Sequence, residues 1–214
     1  MGISERKERE KALRIKEILK AARKLFTSKG YSNTTMLDIA EKSELSRRTL
    51  YHYFTSKEEI SYTLMLEAYE SLRDIINDAI DGSMTTGYDK LITVQNAFLK
   101  FYREKFELFS FTLQLDHRLN LMEDPSEEAK KCLMVMDSLF VLMESIYEEG
   151  LKDGSIRDIG STPRQFSVTI LTMIQATLQK IYVRKSWMES NKDINDIVII
   201  KTMFNICLTA ITPL

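Results

Sequence analysis

Between residues 8 and 29 apolar side chains return every three or four positions, and charged residues fill the gaps. Ile15, Ile18, Leu19, Ala22, Leu25 and Phe26 thereby share one face, which predicts an amphipathic first helix. Gly30 follows its last turn as a stop residue, and Tyr31 is placed to fold back over Phe26. Thr35 is a good N-cap for a short second helix with Ile39 and Ala40 on its buried side. Glu44 and Leu45 make a turn, Ser46 caps a third helix, and Leu50, Tyr53 and Phe54 give that helix an inward face. Ser56-Lys57-Glu58-Glu59 has the form of a capping box. It opens a long helix through Leu64, Leu66, Tyr69, Leu72 and Ile76 to about Ile80, closed by Asp81-Gly82.

Beyond residue 82 the pattern is that of a helical bundle. Helices are expected at about 88–105 and 107–120, then from Asp124-Pro125-Ser126-Glu127 to about Glu149 or Lys152, bracketed by Gly150 and Gly154. Thr162-Pro163-Arg164-Gln165 repeats the cap-proline logic and opens a helix to about Arg184, and a last helix covers about 193–211. The fold class is all-α, with about nine helices. Residues 166–181 and 197–211 are apolar nearly all round, which demands burial on every side. For the last helix that points to pairing with a second copy of the chain, with Ile200 and Phe204 as interface residues.

Two short helices joined by a tight turn form a helix-turn-helix, whose second helix reads DNA. Arg47, Arg48, Thr49, Tyr51 and His52 remain on its outer side. Their guanidinium, hydroxyl, phenol and imidazole groups suit phosphate oxygens and base edges. Lys57 lies in the first turn of the next helix, where an ammonium and backbone N–H groups can hold a phosphate together. With the cap residues Thr35 and Ser46 these form the candidate DNA-binding set. Phe26, Gly30, Tyr31, Thr35, Asp38-Ile39-Ala40, Leu45-Ser46, Thr49-Leu50-Tyr51-His52-Tyr53-Phe54 and Ser56-Lys57-Glu58-Glu59 together resemble the DNA-binding domain of the TetR family of bacterial transcription regulators. The resemblance spans about residues 10–62. Glu44 stands where that family often has a turn glycine, and Arg48 where a small residue is common. Glu44 strains the turn if its φ is positive, and Arg48 adds a cation to the DNA-facing side.

Charge sharpens this division. Residues 1–60 carry 14 Lys/Arg against 9 Asp/Glu, whereas the remainder carries 16 against 22. A chain of net charge −1 thus has a basic N-terminal quarter, the sign expected of a surface that meets phosphate. The expected organisation is a helix-turn-helix DNA-binding domain over 1–62 and a ligand-sensing and dimerisation domain over 63–214. The two cysteines, Cys132 and Cys207, have no metal-binding or C-x-x-C spacing. The charged N-terminus lacks an apolar signal segment, so a cytoplasmic protein is expected, with no metal, no cofactor and no membrane partner.

The resemblance implies a pocket for a small-molecule effector in the second domain. Met136, Phe140, Met143 and Tyr147 form a stripe on one helix, and methionine suits a cavity that reshapes around an apolar guest. Tyr102, Phe106, Phe109, His117, Met136, Phe140, Met143 and Met173 are the candidate ligand-binding residues. The resemblance also implies a homodimer through the last two helices, about 163–184 and 193–211. No H-E-x-x-H, G-x-S-x-G, P-loop or GxGxxG motif occurs, so no catalytic residue is named. The expected function is a ligand-responsive repressor that binds a near-palindromic double-stranded operator as a dimer. The helix from Ser56 to about Ile80 is expected to link pocket and reader. A helical adaptor that has lost operator binding, or a helical-bundle enzyme, are the alternatives.

Overall fold

The computed structural model describes residues 2–80, 86–119, 126–191 and 193–213, without the side chains of residues 3, 106, 107 and 109–119. Among these residues there are nine helices and no strand. They are α1 (Ile3–Lys29), α2 (Met36–Lys42), α3 (Arg47–Tyr53), α4 (Lys57–Ala79), α5 (Gly87–Leu119), α6 (Glu127–Asp153), α7 (Pro163–Val183), α8 (Lys185–Glu189) and α9 (Asp196–Ile211). The all-α class expected from the periodicity is the class found. The two helices expected at 88–105 and 107–120 are one, and the break between them survives as a distortion at Lys105, with φ −128° and ψ 24°. The five-residue α8 was not expected, because one turn is too short to show a period.

The chain gathers into two compact units that interleave along the sequence. One comprises Met1–Ala68 with Glu107–Cys132, and the other Tyr69–Phe106 with Leu133–Leu214. In the first, Ile18, Ala22 and Phe26 of α1 are fully buried, as are Ile39, Ala40 and Leu50 from the two short helices. Gly30 takes φ 83° and donates its N–H to the Phe26 carbonyl at 3.1 Å. A positive φ favours glycine there. The Tyr31 ring then lies 5.3 Å from that of Phe26. Cys132 is fully buried and its thiol donates to the Tyr62 carbonyl at 3.1 Å.

In the second unit the start of α5 crosses the end of α6 at two buried glycines. A Cβ on Gly87 would stand 2.3 Å from the Gly150 nitrogen, and one on Gly150 would stand 2.3 Å from Ile156 Cδ1, so neither position has room for a side chain. That crossing explains why α6 runs on through Gly150 to Asp153 instead of stopping at the glycine. Asp153 accepts the Gly87 N–H at 2.8 Å, Ser155 accepts that of Tyr88 at 3.1 Å, and Lys90 pairs with Glu149 at 2.6 Å. Ser126 caps α6 by accepting the Ala129 N–H; the start expected at Asp124-Pro125 lies outside the described residues. The Thr162–Gln165 box forms reciprocally at the head of α7, with Pro163 in the first turn. Tyr147 stacks on Phe166 with ring centroids 4.1 Å apart.

The interface assignment of Ile200 and Phe204 is corrected. Ile200 is fully buried within the chain and Phe204 nearly so, its ring 6.3 Å from that of Phe98. Side chains of this size contribute about 1.5–3 kcal/mol each on burial, so α9 spends them on its own bundle. Its other side still carries Val198, 58% exposed, and Ile206, 65% exposed. An all-round apolar sequence had hidden this division between inner and outer faces. Arg157 finishes the helix, donating its N–H to the Ile211 carbonyl at 2.7 Å and a guanidinium N–H to that of Ala210 at 2.6 Å. Among the described residues no helix is long and apolar enough to cross a membrane.

Candidate nucleic-acid interface

The helix-turn-helix is held open at its first step by a reciprocal cap. Thr35 Oγ1 accepts the Asp38 N–H at 3.1 Å, while Asp38 Oδ2 accepts both the Thr35 N–H and its hydroxyl at 2.7 Å. Lys29 Nζ lies 2.8 Å from the other carboxylate oxygen. The Lys29 ammonium first, and then the Thr35 hydroxyl and amide, hold the Asp38 carboxyl down at about 2. The Thr35 hydroxyl is therefore engaged inside the domain. Its place in the candidate DNA-binding set comes from where it starts α2.

The turn confirms the strain expected at Glu44, which adopts φ 57°. A residue with a Cβ in that region costs about 1–2 kcal/mol relative to right-handed backbone. The turn is otherwise well made: Leu45 donates to the Ala40 carbonyl at 2.9 Å and Ser43 to that of Ile39 at 3.0 Å. Ser46 then caps α3, accepting the Thr49 N–H at 3.0 Å and sharing a 2.7 Å hydrogen bond with the Thr49 hydroxyl. Thr49 is half-buried, so cap geometry and not base contact is its first task.

Leu50 anchors α3 in the core, leaving Arg47, Arg48, Tyr51 and His52 exposed. The Arg47 guanidinium lies 5.6 Å from the centre of the Tyr51 ring, and the His52 ring meets Tyr53 edge-on at 5.5 Å. Stacking on tyrosine limits the rotamers of Arg47 and presents its N–H fork outward. A helix of seven residues is about 10 Å long, and the major groove is about 12 Å wide. Two arginines, a phenol and an imidazole on one solvent face can meet phosphates and read base edges.

Lys57 is placed differently from its sequence expectation. Its ammonium donates to the Tyr31 carbonyl at 2.9 Å and the Thr34 carbonyl at 2.8 Å, and lies 4.3 Å from the centre of the Tyr31 ring. It ties the start of α4 to the link between α1 and α2. The cap of α4 is also shifted by one residue. Ser56 accepts the Glu59 N–H at 3.1 Å, but Glu59 reaches back to the N–H and hydroxyl of Thr55, at 2.6 and 2.7 Å.

Among the described side chains, the candidate effector residues do not converge. Tyr102 lines a cavity of about 410 Å³ in the second unit, bounded by α5, α7, α8 and the start of α9. Met143 lines a separate apolar void of only about 20 Å³. Met136 and Phe140 are half-buried, the Phe140 ring lying 5.1 Å from the Arg164 guanidinium carbon, and Met173 is 40% exposed. Phe106, Phe109 and His117 have side chains outside the described residues. The larger cavity is instead walled by Arg103, Met188 and Asp196, which no methionine stripe could have indicated. Burial raises the Cys207 thiol pKa, and among the described residues no group of three His, Cys, Asp or Glu is placed to hold a metal.

With this geometry in place, residues 18–61 match the family model described as bacterial regulatory proteins, tetR family. Residues 18–61 are thus similar to the helix-turn-helix domain of that family. The uncharacterized HTH-type transcriptional regulator YuxN of Bacillus subtilis is 36% identical over 37% of this chain and 28% of its own length. The HTH-type transcriptional repressor KstR2 of Rhodococcus jostii is 26% identical over 66% of this chain and 67% of its own. The match thus spans little more than a quarter of the first relative. Likeness in fold extends further. AibR, solved in complex with isovaleryl coenzyme A and operator DNA, superposes with a TM-score of 0.67 at 18% identity, covering 90% of this chain and 97% of AibR. At that identity the likeness speaks for the fold alone.

Proposed function

We propose that the protein is a dimeric transcriptional repressor that grips a near-palindromic operator and lets go when a small effector binds. The observation that carries this reading is α3, which buries Leu50 and turns Arg47, Arg48, Tyr51 and His52 to solvent. Residues 1–62 are the reader, and residues 63–214 sense the effector and dimerise. The exposed apolar side chains Val168, Met173 and Val183 of α7, with Val198 and Ile206 of α9, support self-association through those two helices. Two copies related by a two-fold axis would set their recognition helices one DNA turn apart, about 34 Å.

Release follows if the effector prefers a dimer whose spacing no longer fits the operator, and its leverage equals its differential affinity for the two states. The complex of AibR with both a coenzyme A thioester and operator DNA supports such a two-ligand scheme for this fold. The test is fluorescence anisotropy with labelled fragments from the region around the gene, at several salt concentrations, alongside sedimentation. We expect a dimer at micromolar protein and log affinity falling linearly with log salt. Arg48→Ala should cost about 1–3 kcal/mol per half-site and relax preference at one or two base pairs. A monomer that retards no fragment at low salt overturns the proposal.

A further inference from the structure

The cavity of about 410 Å³ in the second unit has a wall of mixed character. Its apolar part is Ile181 and Met188, both buried, with Ile194 and Ile197. Its charged part is two cations, Arg103 and Lys185, and two carboxylates, Glu189 and Asp196. Arg103, Glu189 and Asp196 form no ion pair within 4.0 Å among the described residues, although opposite charges share the wall. Asp196 is the half-buried one of the three. Its carboxylate is held still: Tyr102 donates its hydroxyl to Oδ2 at 2.8 Å, and the Ile197 N–H donates to Oδ1 at 2.7 Å. Tyr102 is itself buried, and burial together with Asp196 raises its pKa far above the ordinary phenol value, so it serves as a fixed neutral donor.

A carboxylate positioned by two donors, with no ion pair among the described residues, in a wall with isoleucines and a methionine, is matched by a ligand's ammonium. The exposed Arg103 guanidinium at the same cavity is matched by a ligand's carboxylate. A simple alkylamine would satisfy the first group and face the second uncompensated, and a simple fatty acid would do the reverse. We propose that this cavity binds a small zwitterion with an apolar side chain, a free hydrophobic amino acid or a short apolar peptide. Its ammonium sits on Asp196, its carboxylate toward Arg103, and its side chain on Ile181 and Met188. The volume lies within the ordinary range for small-molecule sites of about 300–1,000 Å³. As the effector site this assignment rests on the repressor reading, but binding itself does not.

Calorimetric titration of the full chain tests it with four probes: L-leucine, L-leucyl-L-leucine, isopentylamine and 4-methylpentanoate. The last two each lack one of leucine's charges. Leucine or dileucine should bind at least about tenfold tighter than either half-analogue, as expected for one charge-assisted hydrogen bond gained. Which of the two zwitterions binds tells the amino acid from the peptide. Asp196→Asn and Arg103→Gln, checked for unchanged circular dichroism and melting, should each weaken binding by about tenfold, and Tyr102→Phe by less. Equal binding of the half-analogues, indifference to both charge substitutions, or no heat from any probe overturns the proposal. The same samples added to a protein–operator complex keep the two readings apart. A zwitterion that binds without moving DNA affinity leaves the site and removes its effector role. Intact DNA binding with no zwitterion bound removes the site and leaves the repressor.

Discussion

Removing the Lys57 ammonium separates two roles that one lysine could play, clamping phosphate and holding the domain together. Lys57 donates to the carbonyls of Tyr31 and Thr34 at 2.9 and 2.8 Å. Charge-assisted hydrogen bonds contribute about 1.5–3 kcal/mol each when shielded. Lys57 is only half-buried and water can re-solvate the freed carbonyls, so the pair should net about 1–2 kcal/mol. The ammonium's place 4.3 Å from the Tyr31 ring centre adds about 0.5–1 kcal/mol. Lys57→Met keeps most of the stem's packing and should therefore lower stability by about 1.5–3 kcal/mol. With a urea dependence of about 2 kcal/mol per molar, the unfolding midpoint should fall by about 1 M. Amide hydrogen exchange should place the loss in α2 and α3. A lysine that only meets phosphate would leave stability within about 0.5 kcal/mol and flatten the salt dependence of DNA binding by about one unit. A Lys57→Met protein that unfolds at the parent's midpoint refutes the structural role.

Three further outcomes are expected. Glu44→Gly should raise stability by about 1 kcal/mol in urea unfolding by relieving the φ of 57°, less the added freedom of glycine in the unfolded chain. Asp38 titrates at about 2 in the folded chain against an ordinary 3.8, so its contribution is complete above the ordinary value and drains away as pH falls from 3.8 toward 2. Urea midpoints measured across that range should fall less steeply for Asp38→Asn than for the parent. Ile206→Asp should leave a folded monomer by sedimentation, whereas Ile200→Asp should unfold the chain, since a buried charge without a partner costs about 3–5 kcal/mol; two folded dimers would sink the assignment of faces on α9.

Much of the first unit was legible because its rules are local. A helix cap is decided within four residues, and Thr35 and Ser46 each accept the N–H three positions on, as their sequences state and as Thr162 does in the second unit. The strain at Glu44, which takes φ 57°, was legible through the resemblance, which puts a turn glycine at that position. Lys57 was not, because its partners are carbonyls 23 and 26 residues away, and nothing in a capping box tells which way a long side chain will bend. Gly150 misled in the same manner. It looked like a helix end, and its reason is the Ile156 side chain, which leaves no room there for a Cβ.

The second unit hides its chemistry for a different reason. Apolarity says that a residue is to be covered, but not by what. On α9 the buried set Ile200, Phe204, Leu208 and Ile211 and the exposed pair Val198 and Ile206 are alike in composition and differ only in direction. Met136, Phe140 and Met143 of α6 likewise suggested a pocket, and proved to be half-buried in the first two cases and buried in the third. A cavity wall drawn from α5, α7, α8 and α9 brings together residues about 90 positions apart, such as Tyr102 and Asp196, and no periodicity links them. What marks such a site is a charge held in place and left unmatched, and that becomes visible only once the chain is folded. For this chain the carboxylate of Asp196 is that mark, so its removal is the substitution from which effector chemistry should first be read.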